Sequence, residues 1–318
     1  MKNIYSNIKK INNKNINLAV KYLKNNHPIG VPTETVYGLA GNAYSKEAVK
    51  RIFLLKKRPK FNPLIIHYHS IKALSRDAEL NKNFFKLYKK FCPGPITFIL
   101  KKKKYSKISS LATASLNTIA VRFPSNKVIK NILKKLKFPL AIPSANKSGG
   151  ISPIKAQDVF EEFGKKIKLI ISGGNCKIGI ESTVVDLTNK IKILRPGFVD
   201  NLKISRVIRS KILYVRDSKK IKSPGLLKKH YSPGLPIKLN QRKCGKNDAF
   251  IIFGKKHKNK KNTFNLSKKG NLNEAAKSLY KIFRKIKNKG FKKISVVKIT
   301  KRGIGFAIND RLRRAAAK

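Results

Sequence analysis

The tightest constraint on how this chain folds is a series of short apolar runs, each ending in a loop of small or hydrogen-bonding residues. PIGVPT (28–33), PLIIHY (63–68), ITFIL (96–100), TIAVRF (118–123), LAIP (140–143), LIIS (169–172), TVVDLT (183–188) and KIKILR (190–195) have the length and β-branched content of strands. Amphipathic segments fall between them. Ile16, Ala19, Val20 and Leu23 keep the i, i+3, i+4, i+7 spacing of one helix face, which predicts a helix over 15–25. Ser45 is placed to cap a helix through about Lys57, with Glu47 in its favourable first turn. Further helices are predicted at 82–91, 127–137 and 155–163, and TNK turns a hairpin between TVVDLT and KIKILR. The pattern is that of a mixed α/β domain over 1–210.

Residues 223–236, SPGLLKKHYSPGLP, follow, with two Ser-Pro-Gly turns bracketing a His-Tyr pair. The pattern then restarts: AFIIFG (249–254) and KISVVKIT (293–300) read as strands, 272–288 and 304–317 as helices. A β-α-β-α order predicts a small parallel-sheet domain over 237–318, with 211–236 as the linker.

Lys+Arg number 75 against Asp+Glu 14, a net charge of +61. Basic surface releases counterions from phosphate backbones, so this charge raises nucleic-acid binding. However, the excess is mostly Lys, accompanied by many Asn and Ile, which have A/T-rich codons, and it is spread along the whole chain. Codon bias is the preferred explanation. Cys92, Cys176 and Cys244 are far apart and lack metal-ligand spacing. With no apolar run long enough for a bilayer and no signal-peptide h-region, a cytoplasmic protein without a membrane partner is expected.

Catalytic acids, histidines and cysteines are scarce. His67 and His69 form an HxH whose side chains a strand would place on one side, but nothing nearby supplies a third metal ligand. The sequence instead offers donors in loops at strand ends, the usual ligand position of α/β sheets. VPTETVYG (31–38) is rich in hydroxyls. KKRPKFNPL (56–64) holds Lys56 and Arg58, and TIAVRFP ends in Arg122. IPSANKSGGISP (142–153) packs Ser144, Asn146, Ser148 and Ser152. GIESTVVD (179–186) and ILRPG (193–197) add Ser182 and Arg195. Arginine pairs with carboxylate or phosphate, and serines and backbone amides complete an anion cradle. With so few acids, several of these cations are expected to lack protein partners. Together they point to a small molecule carrying a phosphate chain and a carboxylate. There is no GxxxxGK[ST] P-loop.

PTETVYGL, K-x-R-P-x-x-N-P-L, VRFP, PSAN-x-SG-x-x-SP, ESTVVD and LRPG, in this order, resemble the Sua5/YrdC/YwlC family of L-threonylcarbamoyladenylate synthases. SPG-x-x-x-x-HYSP and NDRLRRAA (309–316) resemble its two-domain Sua5 branch. The resemblance implies a YrdC-like twisted mixed-sheet domain followed by a small Rossmann-like C-terminal Sua5 domain. It implies that threonine, bicarbonate (or CO2) and ATP give threonylcarbamoyl-AMP and diphosphate. The product feeds N6-threonylcarbamoylation of adenosine 37 in tRNA through a separate transferase complex, so direct tRNA contact is not required.

By the same resemblance, Lys56 and Arg58 are catalytic. Arg58, Asn62, Thr118, Ser144, Asn146, Ser152, Arg195 and Tyr231 serve ATP. Thr35, His67, Arg122, Ile142 and Ser182 serve threonine. Lys57 stands where the family usually has a small residue. Mg2+ is expected to arrive with ATP rather than in a protein cage, because few acids are available to build one. In Sua5 proteins the linker crosses the active-site cavity, so 211–236 is expected to act as a lid. The rival class is an RNA-binding protein on a YrdC-like fold without nucleotide turnover. A second rival, the YrdC-like module of carbamoyl-transfer proteins, normally brings an acylphosphatase domain or zinc-finger Cys pairs, and no such pairs occur here.

Overall fold

The computed structural model describes residues 5–215, 225, 227, 229–255 and 261–317. These form two sheets. The first is mixed, with eleven strands in the spatial order Ile8–Lys10, Ile170–Ser172, Ile29–Val31, Gly38–Asn42, Leu140–Ala141, Ile65–His67, Thr118–Arg122, Ile96–Lys101, Thr183–Asp186, Lys192–Arg195 and Leu213–Tyr214. The second has four parallel strands, in the order Ile237–Lys238, Ile294–Val296, Ala249–Ile252 and Thr263–Asn265. Both match the expected fold class, and TVVDLT and KIKILR do form the antiparallel pair.

Helices cover both faces of the large sheet. Asn12 accepts from Asn15 N–H at 2.8 Å and starts the helix Asn13–Lys24. Its Ile16, Ala19 and Leu23 pack with Ile129, Ile132 and Leu133 of the helix Lys127–Lys134 over Ile29, Val31 and Leu140. On the opposite face, Ile52, Phe53, Phe84 and Leu87 lie against Ile66, Phe98 and Val121. Each such buried side chain contributes roughly 1.5–3 kcal/mol. This second core continues without a break into the C-terminal unit. Leu279, Tyr280 and Phe283 of the helix Leu272–Lys287, and Ile308 and Leu312 of Gly305–Ala316, belong to the same cluster as Ile151, Ile180 and Val199.

The structure departs from the sequence reading in several places. The HxH does not point to one side, because the strand ends at His67. His67 is buried, whereas His69 lies in a separate surface depression with Lys72 and Arg76. The strand Gly38–Asn42 and the helix Asn201–Ile208, capped by Asp200, had no counterpart in the sequence pattern. No helix among the described residues is long and apolar enough to cross a membrane.

The end of the helix Lys46–Lys56 shapes the site directly. Lys57 turns left-handed (φ 49) and Arg58 N–H reaches back to Phe53 O at 3.0 Å, a Schellman turn that sends Arg58 inward. A left-handed backbone costs a residue with a Cβ about 1 kcal/mol. Lys57→Gly is therefore expected to raise stability by about 1 kcal/mol, read as a higher urea midpoint at unchanged slope. A lower midpoint would show that the Lys57 side chain itself stabilises the turn.

Candidate active site

Parallel pairing sets His67 opposite Arg122 at the ends of adjacent strands. Around them, loops from several strand ends close a cavity lined by Thr35, Arg58, His67, Arg122, Ile142, Ser144, Glu181, Arg195, His230 and Tyr231. Glycine permits the convergence. A Cβ at Gly38 would lie 2.2 Å from Ile142 Cγ2, so only glycine lets the segment after PTET approach the strand leading into PSAN.

The cations are held differently from one another. Arg58 donates through Nε to Asn62 O (2.9 Å) and through Nη2 to Asn62 Oδ1 (2.6 Å) and Pro63 O (2.8 Å). Burial and then the Arg195 charge push its pKa down to about 9. Arg195 donates to Ser182 O at 3.1 Å and Ser182 Oγ at 3.0 Å. Arg122 has an acidic partner, contrary to the expectation of unpaired cations: its Nη2 donates to Glu34 Oε1 (2.5 Å) and Thr35 Oγ1 (3.0 Å). Glu34 in turn accepts from Ser125 and Asn126 N–H. His67 uses Nδ1 on Ile65 O at 3.1 Å. Burial and Arg122 hold its pKa well below the usual range, so the ring is neutral and Nε2 is an acceptor.

Buried polar atoms without a hydrogen-bond partner among the described residues gather here. They include His67 Nε2, Arg122 Nε, Asn62 Nδ2, Asn146 Oδ1, His230 Nδ1, Tyr231 OH and Arg311 Nη2. Such groups cost roughly 1–3 kcal/mol each when left unmade, and their concentration marks a polar ligand site.

The remaining sequence candidates surround the cavity rather than line it. Lys56 is fully buried and donates to Ser144 O (2.6 Å) and Asn146 O (2.5 Å), so it fastens the PSAN loop. Burial and Arg58 lower its pKa well below the usual value. Asn62 braces Arg58. Asn146 donates to Lys147 O and Gly150 O, leaving Oδ1 unpaired. Ser182 meets Thr97 Oγ1 at 2.8 Å, and Ser152 donates to Glu181. Thr118 stands at the far end of its strand from Arg122, about 13 Å away at a strand rise of ~3.3 Å per residue.

Sequence reasoning missed the acids and the C-terminal contribution. Glu34, Asp77, Asp158, Glu181 and Asp186 are all buried, in a chain with 14 acidic residues. Glu181 accepts from Ser152 Oγ (2.5 Å) and Arg311 Nε (2.8 Å), and the Tyr280 hydroxyl lies 3.0 Å from Oε2. Burial alone would raise its pKa, yet Arg311 and Arg195 hold it at about 2. Glu181 sits beside Ser182 in ESTVVD and Arg311 in NDRLRRAA. The motifs marked the places, but spacing gave no sign that these residues meet.

Of the linker, residues 216–224, 226 and 228 lie outside the described residues. His230 and Tyr231 are buried in the cavity mouth, with ring centroids 4.0 Å apart. Gly225 (φ 82) packs on the Tyr231 hydroxyl, which a Cβ would approach to 2.7 Å. The space left is ≈ 40 Å³. That holds a few waters and is far below the ~300–1,000 Å³ of ordinary ligand pockets. Burial pushes the His230 pKa down to about 3.

Residues 21–197 match a sequence family described as "Telomere recombination" (Sua5, YciO, YrdC), and residues 199–317 one described as "Threonylcarbamoyl-AMP synthase, C-terminal domain". The chain is 34% identical over 322 residues to threonylcarbamoyl-AMP synthase of Pyrococcus abyssi, covering 95% of this chain and 94% of that protein. It is 38% identical over 232 residues to that of Bacillus subtilis, covering 71% of this chain and 66% of that protein. The crystal structure of P. abyssi Sua5 complexed with L-threonine superposes with a TM-score of 0.88 at 32% identity, over 97% of this chain and 96% of that one. Escherichia coli YciO matches 57% of this chain and 91% of its own, with a TM-score of 0.51 at 25% identity.

Proposed function

The chain belongs to the Sua5/YciO/YrdC family, and on that premise we propose that it is an L-threonylcarbamoyladenylate synthase, a nucleotidyltransferase joining L-threonine, bicarbonate and ATP. The observation that carries this reading is the set of buried arginines, Arg58, Arg122 and Arg195, around one cavity rich in unpartnered polar atoms. Such a site suits a substrate with separate anionic ends.

On the threonine side, Arg122 Nε is available to the carboxylate. The neutral acceptor His67 Nε2 suits an ammonium or hydroxyl, Thr35 and Ile142 complete the wall, and Ser182 acts from behind it through Arg195. On the nucleotide side, Arg58, Ser144 and Arg195 face the phosphates; Asn62 braces Arg58, Asn146 ties its own loop, and Ser152 holds Glu181. Lys56 acts by fixing the PSAN loop. Thr118 takes part if the nucleotide extends along its strand. A relative's complex with L-threonine supports threonine as a substrate.

Bicarbonate dehydrates to CO2, which threonine's amine captures as a carbamate; the proton the amine loses replaces the one dehydration takes up, and water leaves. A carbamate oxygen forms a bond to the α-phosphorus of ATP as the bond to diphosphate breaks. The nucleophile comes from the substrate, so the protein's part is positioning and neutralising charge that builds on the phosphates. Mg2+ would accompany the triphosphate. No group of three His, Cys, Asp or Glu side chains among the described residues is arranged to hold a metal, and Glu181, which lines the cavity, is committed to Arg311 and Ser152. No step is assigned to the ion.

ATP does not fit beside Tyr231 as it stands, so His230 and Tyr231 withdraw to admit it. Their return keeps water from the mixed anhydride formed. The product would pass to a tRNA threonylcarbamoyl-transferase complex. The purified protein with Mg-ATP, threonine and bicarbonate is expected to release diphosphate only when all three substrates are present. Absence of diphosphate from the complete mixture would overturn the assignment.

A further inference from the structure

We propose that Arg311, on the final helix, is a positioning residue that sets the closed place of Tyr231, so that the C-terminal unit governs nucleotide binding without touching the nucleotide. The inference rests on the reading of Tyr231 as a nucleotide-side residue.

The helix Gly305–Ala316 holds the linker within a single turn. Arg314 Nη1 donates to Leu227 O at 2.7 Å, and Arg314 O accepts from His230 N–H at 3.1 Å. The Arg311 guanidinium lies 5.1 Å from the centroid of the Tyr231 ring. The Tyr280 ring, from the neighbouring helix, stacks on Tyr231 at 5.9 Å with an interplanar angle of 26°. Arg311 and Tyr280 are both fastened to Glu181, which stands beside Ser182 in the loop leading into the strand Thr183–Asp186. Arg311 also donates to Pro196 O at 2.8 Å and to Asp310 Oδ2 at 3.0 Å, so its plane is fixed on several sides.

The backbone supplies an independent argument. Tyr231 has φ +64, a left-handed conformation that an aromatic residue does not favour by itself. Such a conformation persists where the surroundings over-determine it. Here those surroundings are Arg311, Arg314 and Tyr280, together with Gly149 O, which accepts from Ser232 N–H at 2.8 Å. Burying Arg311 completely is expensive, and Glu181 and Asp310 offset its charge. An arginine needed only for packing would not require a fixed plane against an aromatic ring. A planar guanidinium is also not replaced by a lysine ammonium at such a site.

The experiment is a cycle of Arg311→Lys and Tyr231→Ala, singly and together, with KM for ATP, KM for threonine and kcat measured for each. Tyr231 in this place leaves no room for ATP, so Arg311→Lys is expected to lower KM for ATP about tenfold, the order for losing one desolvated cation–aromatic contact, with KM for threonine nearly unchanged. In the Tyr231→Ala background the same substitution is expected to do nothing further. Equal effects of Arg311→Lys with and without Tyr231, equal falls in both KM values, or a rise in KM for ATP would overturn the proposal.

Tyr280→Leu supplies a second variant that removes no buried charge. It should also lower KM for ATP in a Tyr231-dependent way, and failure to do so would count against the proposal even if Arg311→Lys did not fold. Tryptic cleavage after Lys229, located by mass spectrometry without substrates, should be faster in Arg311→Lys. An unchanged rate overturns the positioning role, whereas a wild-type enzyme that releases no diphosphate overturns only the assigned reaction.

Discussion

Arg58→Ala should abolish most turnover while leaving the protein as stable as before, or more so. Arg58 is a buried cation with carbonyl and amide partners, and its charge is repelled by Arg195. Folding gains little from holding a cation there, whereas a phosphate chain gains a great deal. Removing one preorganised donor to a transferring group typically costs about 10²–10³ in kcat. Diphosphate release should fall by that order in Arg58→Ala, and the urea midpoint should hold or rise, as for groups kept for activity at the expense of stability. A parallel loss of activity and stability would instead assign Arg58 a structural role.

The largest effect on stability is expected at Glu181. Glu181→Ala leaves Arg311 buried opposite no carboxylate but Asp310, and breaking a buried pair in this way costs about 3–5 kcal/mol. The same group shapes the acid limb of stability. Its folded pKa of about 2 lies below the usual carboxylate value of 4.5, so the unfolded chain takes up the proton first. The stabilisation, about 3 kcal/mol for a shift of this size, is complete above about pH 4.5 and is lost as pH falls toward 2. Glu181→Gln keeps the shape and should flatten that window. His67 and His230 act earlier and in the same direction. Both are held neutral by burial, so below pH 6.5 the unfolded state binds protons that the folded state refuses, and stability declines. Urea midpoints across this pH range, for wild type and Glu181→Gln, test both windows. Superimposable acid limbs would remove Glu181 from the account.

What the sequence disclosed, and what it hid, divides along physical lines. Ile65–His67, Thr118–Arg122 and Thr183–Asp186 announced themselves because β-branched residues in short runs have few other uses. Gly38–Asn42 did not, because GLAGN has little strand propensity. It is a strand because small residues are needed where Ile142 and Ile52 press against it. The HxH misled because periodicity holds only while the strand lasts, and this one ends between its two histidines. In the site, the donors were legible because strand-end loops are local. Their acidic partners were not: Glu34 meets Arg122 across 88 residues and Glu181 meets Arg311 across 130, and no spacing rule reaches that far.

The core that runs from Ile151 and Ile180 to Leu279 and Ile308 bears on how such a chain can be divided. The boundary between its two family regions, near residue 198, is a line in sequence with no counterpart in the packing. A cut there would not release two modules. It would leave two raw apolar faces, each shaped to the other, and a cleft missing the side chains at its mouth. In this chain the two halves share one core, and a graft from a relative would have to bring the matching face along with the residues that meet at Glu181.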